Sequence, residues 1–238
     1  MQLQKKRVRE AVSIVVDENN VSISWIEQNN KNTRPRLKAH KTFFLQSSEI
    51  VDGNIYNPTA LKNLIQEFLK RHNLEHPHVA LALNAKSLTE KFALMPTPEP
   101  TADFRHLFKN KEWHYRYVCH ALNDDRFIIY ACGLPREYIF HYQLFALYAD
   151  LNLQSLTSTA MTRFILYKKM YGAAFRQSQL SAHLEQHNFD LATFFTPDTI
   201  ARTLIIPRDI EVVLDQEHKA LACAVGLFLS ETEFHGKY

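Results

Sequence analysis

The chain has 238 residues, 46% hydrophobic and 22% charged, which suits one large globular domain or two small ones. Its 28 basic and 25 acidic residues leave a net charge of +3, too balanced to point to nucleic acid or to an acidic substrate. Only five glycines occur, against about 17 at the usual share of roughly 7%, and no two stand close together, which excludes a P-loop, a G-x-G-x-x-G dinucleotide turn and a kinase glycine loop.

Ala11 to Val16 is a continuous apolar run, the mark of a strand covered on both faces. Asp17-Glu18-Asn19-Asn20 is a turn cluster. Val21, Ile23 and Trp25 then alternate with Ser22 and Ser24, a half-buried strand, so the chain opens with a β-hairpin. Gln28 to Lys38 reads as a basic loop and Thr42 to Leu45 as a short strand. After the turn Val51-Asp52-Gly53-Asn54, Asn57 is placed as an N-cap with Pro58 at the first helical position. Leu61, Leu64, Ile65, Phe68 and Leu69 follow at helical spacing, and this helix ends near His72-Asn73.

Val79 to Leu83 and Thr89 to Met95 read as strands, the second stopped by Pro96, Pro98 and Pro100. Trp113 to Cys119 and Arg126 to Cys132 read as two strands joined by the turn Leu122 to Asp125, with Gly133 closing the second. Pro135 opens a helix to about Asp150, with Phe140, Leu144, Leu147 and Leu151 on one side. A strand near Leu153 to Leu156 precedes a helix over Ala160 to Tyr171, capped by Gly172. Gln177 to Asn188 reads as a helix or a linker. Leu191 to Phe195 and Thr203 to Ile206 are short strand candidates, and Glu217 to Ser230 is an alanine-rich closing helix. The pattern is mixed α/β.

The three cysteines form no disulfide framework or C-x-x-C motif, which fits a reducing compartment. The longest apolar run, Ala220 to Leu229, is about half of a spanning helix. The first residues carry charge without an apolar stretch behind them, so the expected location is cytoplasmic.

The strand ending in an acid, the hairpin, the amphipathic helix and the next strand resemble the actin-like (ribonuclease H-like) fold. Four segments narrow this. IVDGNIYNPTALKNLIQEFL (Ile50 to Leu69), VALALNAKSLTEKFALMPTP (Val79 to Pro98), the run from Ile128 to Tyr171 and ALACAVGLFLSE (Ala220 to Glu231) resemble, in the same order, segments of the PilM family of type IV pilus assembly proteins. The chain looks too short for both halves of an actin-like ATPase, so it is also similar to the reduced HofM-like proteins and to the cytoplasmic domain of GspL. The resemblance implies an actin-like core over residues 1–87, an inserted small α+β subdomain over 88–152, and a core completion with a remnant of the second domain over 153–238.

What the resemblance implies about chemistry is mostly negative. Asp17 sits where actin-like ATPases begin the first phosphate loop, D-x-G-x-x-x-x-K; here Asn19 replaces the glycine and Ser24 the lysine. Asp17 and Asn19 are thus the residues of any residual nucleotide site, and a plain Asp/Asn hairpin turn is the better reading. No cofactor is expected, with ATP the alternative. His72, His76 and His78 are interrupted by Pro77 and read as a solvated helix end rather than a zinc site. Cys119-His120 reads as strand, Cys132 and Cys223 as core. Lys5, Lys6, Arg7 and Arg9 form a basic tail. Trp113 to Tyr117 has aromatics interleaved with basic residues, yet reads as a strand rather than a nucleic-acid surface.

In PilM-like proteins a groove between main and inserted subdomains receives the N-terminal peptide of a bitopic membrane protein. By position, Phe92, Leu94, Met95 and Tyr138 are the candidates to line it here. The expected function is a non-catalytic scaffold at the inner membrane of a type IV pilus or type II secretion-like assembly. Its partner would be PilN-like, with an assembly ATPase of the same machine as a second candidate, and the membrane surface would be reached through the PilN-like partner. The rival readings are an actin-like ATP-binding protein or ATPase and, last, a ribonuclease H-like nuclease, for which Asp17 is the one strand-end acid that can be placed.

Overall fold

The computed structural model describes residues 9–30, 33–46, 49–101, 113–121, 126–171, 191 and 194–230. The opening strands are β1 (Arg9–Val16), β2 (Asn20–Gln28) and β3 (Arg36–Phe44), an antiparallel meander. A small hairpin of β4 (Ile50–Val51) and β5 (Asn54–Ile55) leads into α1 (Pro58–Arg71). The Asn57 side chain accepts the Ala60 N–H at 3.0 Å and Pro58 occupies the first turn, the start that the sequence predicts. Leu61, Ile65, Phe68 and Leu69 are the buried stripe of that helix.

β6 (His78–Leu83) then joins β1 in parallel. The chain next builds a separate three-stranded antiparallel sheet from β7 (Thr89–Met95), β8 (Trp113–Ala121) and β9 (Phe127–Pro135), with β9 in the middle. It returns through α2 (Arg136–Tyr148) to β10 (Asn152–Ser158), which pairs in parallel with β6. The main sheet thus has the order β10-β6-β1-β2-β3. α3 (Thr159–Tyr171), α4 (Pro197–Thr203) and α5 (Leu214–Ser230) complete the described helices. The fold is α/β, a mixed sheet between helices with a small sheet inserted after β6.

The two sides of the main sheet are covered by different helices. Ser13 donates its hydroxyl to the Ala224 carbonyl of α5 at 2.9 Å, which puts that side of β1 under α5. Lys41 pairs with Glu67 of α1 at 2.9 Å, which puts α1 on the other side. Gln66 of α1 donates to the Ala149 carbonyl at 2.6 Å, so α2 ends beside α1. α3 crosses α5 where a Cβ on Gly226 would stand 2.0 Å from the Thr162 carbonyl oxygen, so that glycine is required by backbone contact.

Several expectations need correction. Gly133 does not close a strand: β9 runs on to Pro135, and Gly133 sits in the middle of the small sheet between Thr89 and Tyr115. Thr203 to Ile206 is not a strand; Thr203 ends α4, and Ile205 makes one parallel bridge to Arg36 at the outer edge of β3. Leu191, Phe194 and Phe195 lie in turn and irregular structure. β3 begins earlier than the predicted Thr42, inside the supposed loop. Arg9 is not part of a free tail: its guanidinium bonds the Phe228 carbonyl and lies 4.5 Å from the Phe228 ring centroid. The turn at 122–125, Gly172, Gln177 to Asn188 and the basic residues 5–7 lie outside the described residues. Among the described residues, no helix is long and apolar enough to cross a membrane.

Candidate functional site

In open α/β sheets ligands gather beyond the carboxyl ends of the parallel strands. Here those ends belong to β1, β6 and β10, and the first two bring Asp17 and Asn84 together. Asn84 donates its backbone N–H to the Val16 carbonyl at 3.0 Å, and its side-chain amide to Asp17 Oδ1 at 3.3 Å. Glu18 N–H donates to the same Asp17 oxygen at 2.8 Å. Asp17 N–H closes the hairpin on the Asn20 carbonyl at 2.9 Å, and the Asn19 carbonyl accepts from Leu45 N–H at 2.9 Å. The turn is therefore satisfied from within.

The same end of the sheet holds a second acidic turn. Asp52 and Gly53 adopt positive φ of 48° and 79° at the tip of the β4–β5 hairpin. Asp52 Oδ1 accepts the N–H groups of Lys86 and Ser87 at 2.6 and 3.2 Å. Ala85 leaves no room there, since a Cβ on Gly53 would lie 2.9 Å from its own. Two tyrosines of α2 fasten the tip from below. Tyr138 donates to the Asp52 carbonyl at 2.6 Å and Tyr142 to the Gly53 carbonyl at 3.0 Å. Burial raises both phenols, and the Ser87 and Asn54 bonds partly offset this for Tyr138. The loop that carries the chain from β6 into the small sheet is thus tied to the hairpin tip, and the tip to α2.

Two of the backbone amides at this end are already bonded. An actin-like phosphate loop works by pointing free backbone N–H groups at the ligand. Here the amides of Asp17 and Glu18 are spent inside the turn. The Glu18 carboxylate lies 4.0 Å from Lys86 Nζ. Asn19 contributes its carbonyl to Leu45. No step of nucleotide chemistry follows from these residues.

The four residues assigned by position to a peptide groove are not brought together. β7 has period two, so Phe92 and Leu94 share one side and Met95 takes the other. Phe92 packs edge-on against Tyr130 and Phe164, with centroids 6.1 and 5.7 Å away. Met95 joins Ala93, Tyr115 and Tyr117 around the buried Ile129 and Ala131. Tyr138 is buried with its hydroxyl engaged, as described above. Leu94 is the one of the four with a large exposed surface, at 38%. The alternation of β7 was readable in the sequence and would have separated Met95 from the others.

The remaining chemistry-bearing motifs resolve as structure. His72 packs on Phe68 at 4.7 Å between centroids, and burial lowers its imidazole. His76 faces Asp150 at 3.6 Å and His78 faces Asn152 at 3.3 Å, so the three histidines point to separate partners. Among the described residues, no group of three or more His, Cys, Asp or Glu is placed to hold a metal ion. Burial raises the Cys119 thiol and pushes Cys132 up to about 12, which leaves both as weak nucleophiles. A buried network went unread in the sequence. His40 Nδ1 lies 2.8 Å from Ser24 Oγ and its Nε2 lies 3.3 Å from Glu217 Oε1. Ser24 is fully buried, and the trio joins β2, β3 and α5.

Among solved structures, the fold is similar to a chain of a PilM-PilN type IV pilus biogenesis complex. The TM-score is 0.59 at 12% identity, over 94% of this chain and 99% of that one. The chain has a PilM-like, actin-like fold. The cytoplasmic domain of EpsL, an inner membrane component of the type II secretion system of Vibrio cholerae, aligns with TM-score 0.39 and 10% identity, over 65% of this chain and 57% of that one. A protein of unknown function with an actin-like ATPase fold from Bacteroides thetaiotaomicron VPI-5482 aligns with TM-score 0.35 and 16% identity, over 68% and 56%. No family model and no curated protein matches the chain.

Proposed function

We propose that this protein is a non-catalytic scaffold of a type IV pilus or type II secretion-like assembly, peripheral at the inner membrane. It would hold the short N-terminal tail of a PilN-like bitopic membrane protein. The observation that carries this reading is the fold similarity to a PilM-PilN complex chain across nearly the full length of both chains. The turn at Asp17 supports the non-catalytic part, because the N–H groups of Asp17 and Glu18 are already hydrogen-bonded within it.

The place for the tail is the face of β7 that carries Phe92 and the exposed Leu94, toward the end of the strand away from the Asn84 to Leu88 loop. The test is fluorescence anisotropy with a labelled peptide carrying the first residues of a PilN-like protein from the same organism. Saturable binding, weakened by Leu94→Glu, is the expected result. No binding at about 100 μM, the weak end for a peptide site, would overturn the reading. The rival ATP-binding reading keeps one observation in its favour, the position of Asp17 at the end of β1 beside Asn84.

A further inference from the structure

Helix α2 is apolar on two sides. Its inner side buries Tyr138, Tyr142, Phe145 and Ala146. Its outer side presents Phe140, Leu144, Leu147 and Tyr148 at i, i+4, i+7 and i+8, exposed by 57%, 47%, 78% and 47%. Single exposed hydrophobics are ordinary on protein surfaces, but four along one helical stripe mark a surface that something covers. The spacing is that of a helix–helix seam. The stripe is also held in place. Tyr148 has its hydroxyl 3.1 Å from Thr59 Oγ1 and its ring 4.1 Å below the Lys62 ammonium, so the α1–α2 contact fixes that end.

We propose that this face docks a second copy of the chain, with α2 packed antiparallel against α2 of the other copy about a two-fold axis. The argument for this occupant is that the rim is self-complementary. Glu137 lies at the N-terminal end of α2, eleven residues before Tyr148 and so on nearly the same side of the helix at 100° per residue. Lys62 stands over Tyr148, at the C-terminal end on that side. A two-fold axis perpendicular to the helix exchanges the ends and keeps the sides. It therefore brings Glu137 of one copy to Lys62 of the second copy, and does so twice, while Phe140 meets the other copy's Leu147–Tyr148 end and Leu144 meets itself. Among the described residues, neither Glu137 nor Lys62 has an ion-pair partner within its own chain. The isologous contact supplies both.

The area bounds the affinity. Thirteen residues at about 1.5 Å each make a seam of about 20 Å. A strip of that length and about one helix diameter, about 10 Å, in width covers about 200 Å² per partner, well short of the roughly 800 Å² of a standard interface, so a weak, concentration-dependent dimer is expected. This contact is independent of the tail-binding site proposed above, which lies on the face of β7 that carries Leu94.

The test is sedimentation velocity on the full chain from about 10 to about 200 μM, a range that brackets a micromolar dimer. The wild-type mass should climb from 27.8 kDa toward twice that value. Leu147→Glu, at the most exposed position of the stripe, should weaken dimerisation at least tenfold with an unchanged melting curve. Glu137→Lys and Lys62→Glu should each weaken it several-fold, and the two together should restore it. A wild-type chain that stays monomeric throughout would overturn the proposal. So would a Leu147→Glu chain that dimerises like wild type, a double variant no better than the singles, or a monomer that uses the stripe to bind vesicles of anionic phospholipid.

Discussion

On the side of the main sheet facing α1 and α2, β1 contributes Val12, Ile14 and Val16, and β6 contributes Val79, Leu81 and Leu83. On the side facing α3 and α5, the same two strands contribute Ser13 and Val15, and Ala80 and Ala82. Ser22 and Ser24 of β2 and Ser155 and Thr157 of β10 continue that second side. Large aliphatic side chains hold the helices of the first side away from the strands. Small residues on the second let α5 settle close enough for Ser13 to bond a helix carbonyl, and let α3 and α5 touch backbone to backbone at Gly226. One sheet therefore carries a layer that tolerates trimming and a layer that tolerates no addition.

The strongest way to break this comparison is Gly226→Ala. The added Cβ would sit 2.0 Å from the Thr162 carbonyl oxygen, and neither backbone has a side-chain end that could swing aside. The expected loss is about 3 kcal/mol or more, read by urea unfolding, at the upper end of what overpacking costs. A loss below about 1 kcal/mol would mean that the two helices do not meet so closely. The opposite side should answer differently. Ile14→Val removes one buried methylene from the thick layer and should cost about 1 kcal/mol with the fold intact. If Ile14→Val cost as much as Gly226→Ala, the two layers would be packed alike.

A third measurement sharpens the thin side through charge. Glu217 of α5 accepts a hydrogen bond from His40 and another from the Val213 N–H at 3.0 Å. The His40 bond is the largest reason that its carboxyl lies below the ordinary value of 4.5. A lowered folded value means that ionised Glu217 stabilises the fold above 4.5, and that this contribution fades as the pH falls through the lowered value. Glu217→Gln should therefore be less stable than wild type at neutral pH, and the difference should shrink in acid. A difference that grows below pH 4.5 would reverse the sign of this linkage.

The two sides were not equally legible in the sequence. Runs such as Ala11 to Val16 and the alternation Val21, Ile23, Trp25 revealed strands because both layers need apolar or small residues at period two. The Asn57-Pro58 start marked α1 for the same local reason. By contrast, α4 went unread although Thr196 and Pro197 cap it as Asn57 and Pro58 cap α1; two turns with a single buried Ile200 give no periodic signal. Gly133 was misread because a glycine in a central strand looks like a stop until its two neighbours are known. The hardest case is α2. Its sequence offers two interleaved apolar stripes, and the side read from Phe140, Leu144 and Leu147 is the exposed one. What buries the other is long-range, the bonds of Tyr138 and Tyr142 to a hairpin more than eighty residues earlier in the chain. Within the candidate site, the alternation of β7 puts Met95 on the other strand face from Phe92 and Leu94.

The smallest expected effect lies where both layers end, at Asp17. Asp17→Asn keeps an oxygen for the Glu18 N–H and for the Asn84 amide, so stability should stay within about 0.5 kcal/mol of wild type. The informative arm is ligand. A nucleotide present at about 100 times its dissociation constant adds about 2.7 kcal/mol to the folded state, worth roughly 5 to 10 °C in Tm for a chain of this size. With the turn's amides spent on Asn20 and on Asp17 itself, millimolar ATP with Mg²⁺ should leave the Tm of both proteins unchanged. A shift of several degrees in wild type that vanishes in Asp17→Asn would show a turn that opens to receive phosphate. The non-catalytic half of the proposed function would then fall, while the tail-binding half, which uses the face of β7 carrying Leu94, would still stand on its own peptide measurement.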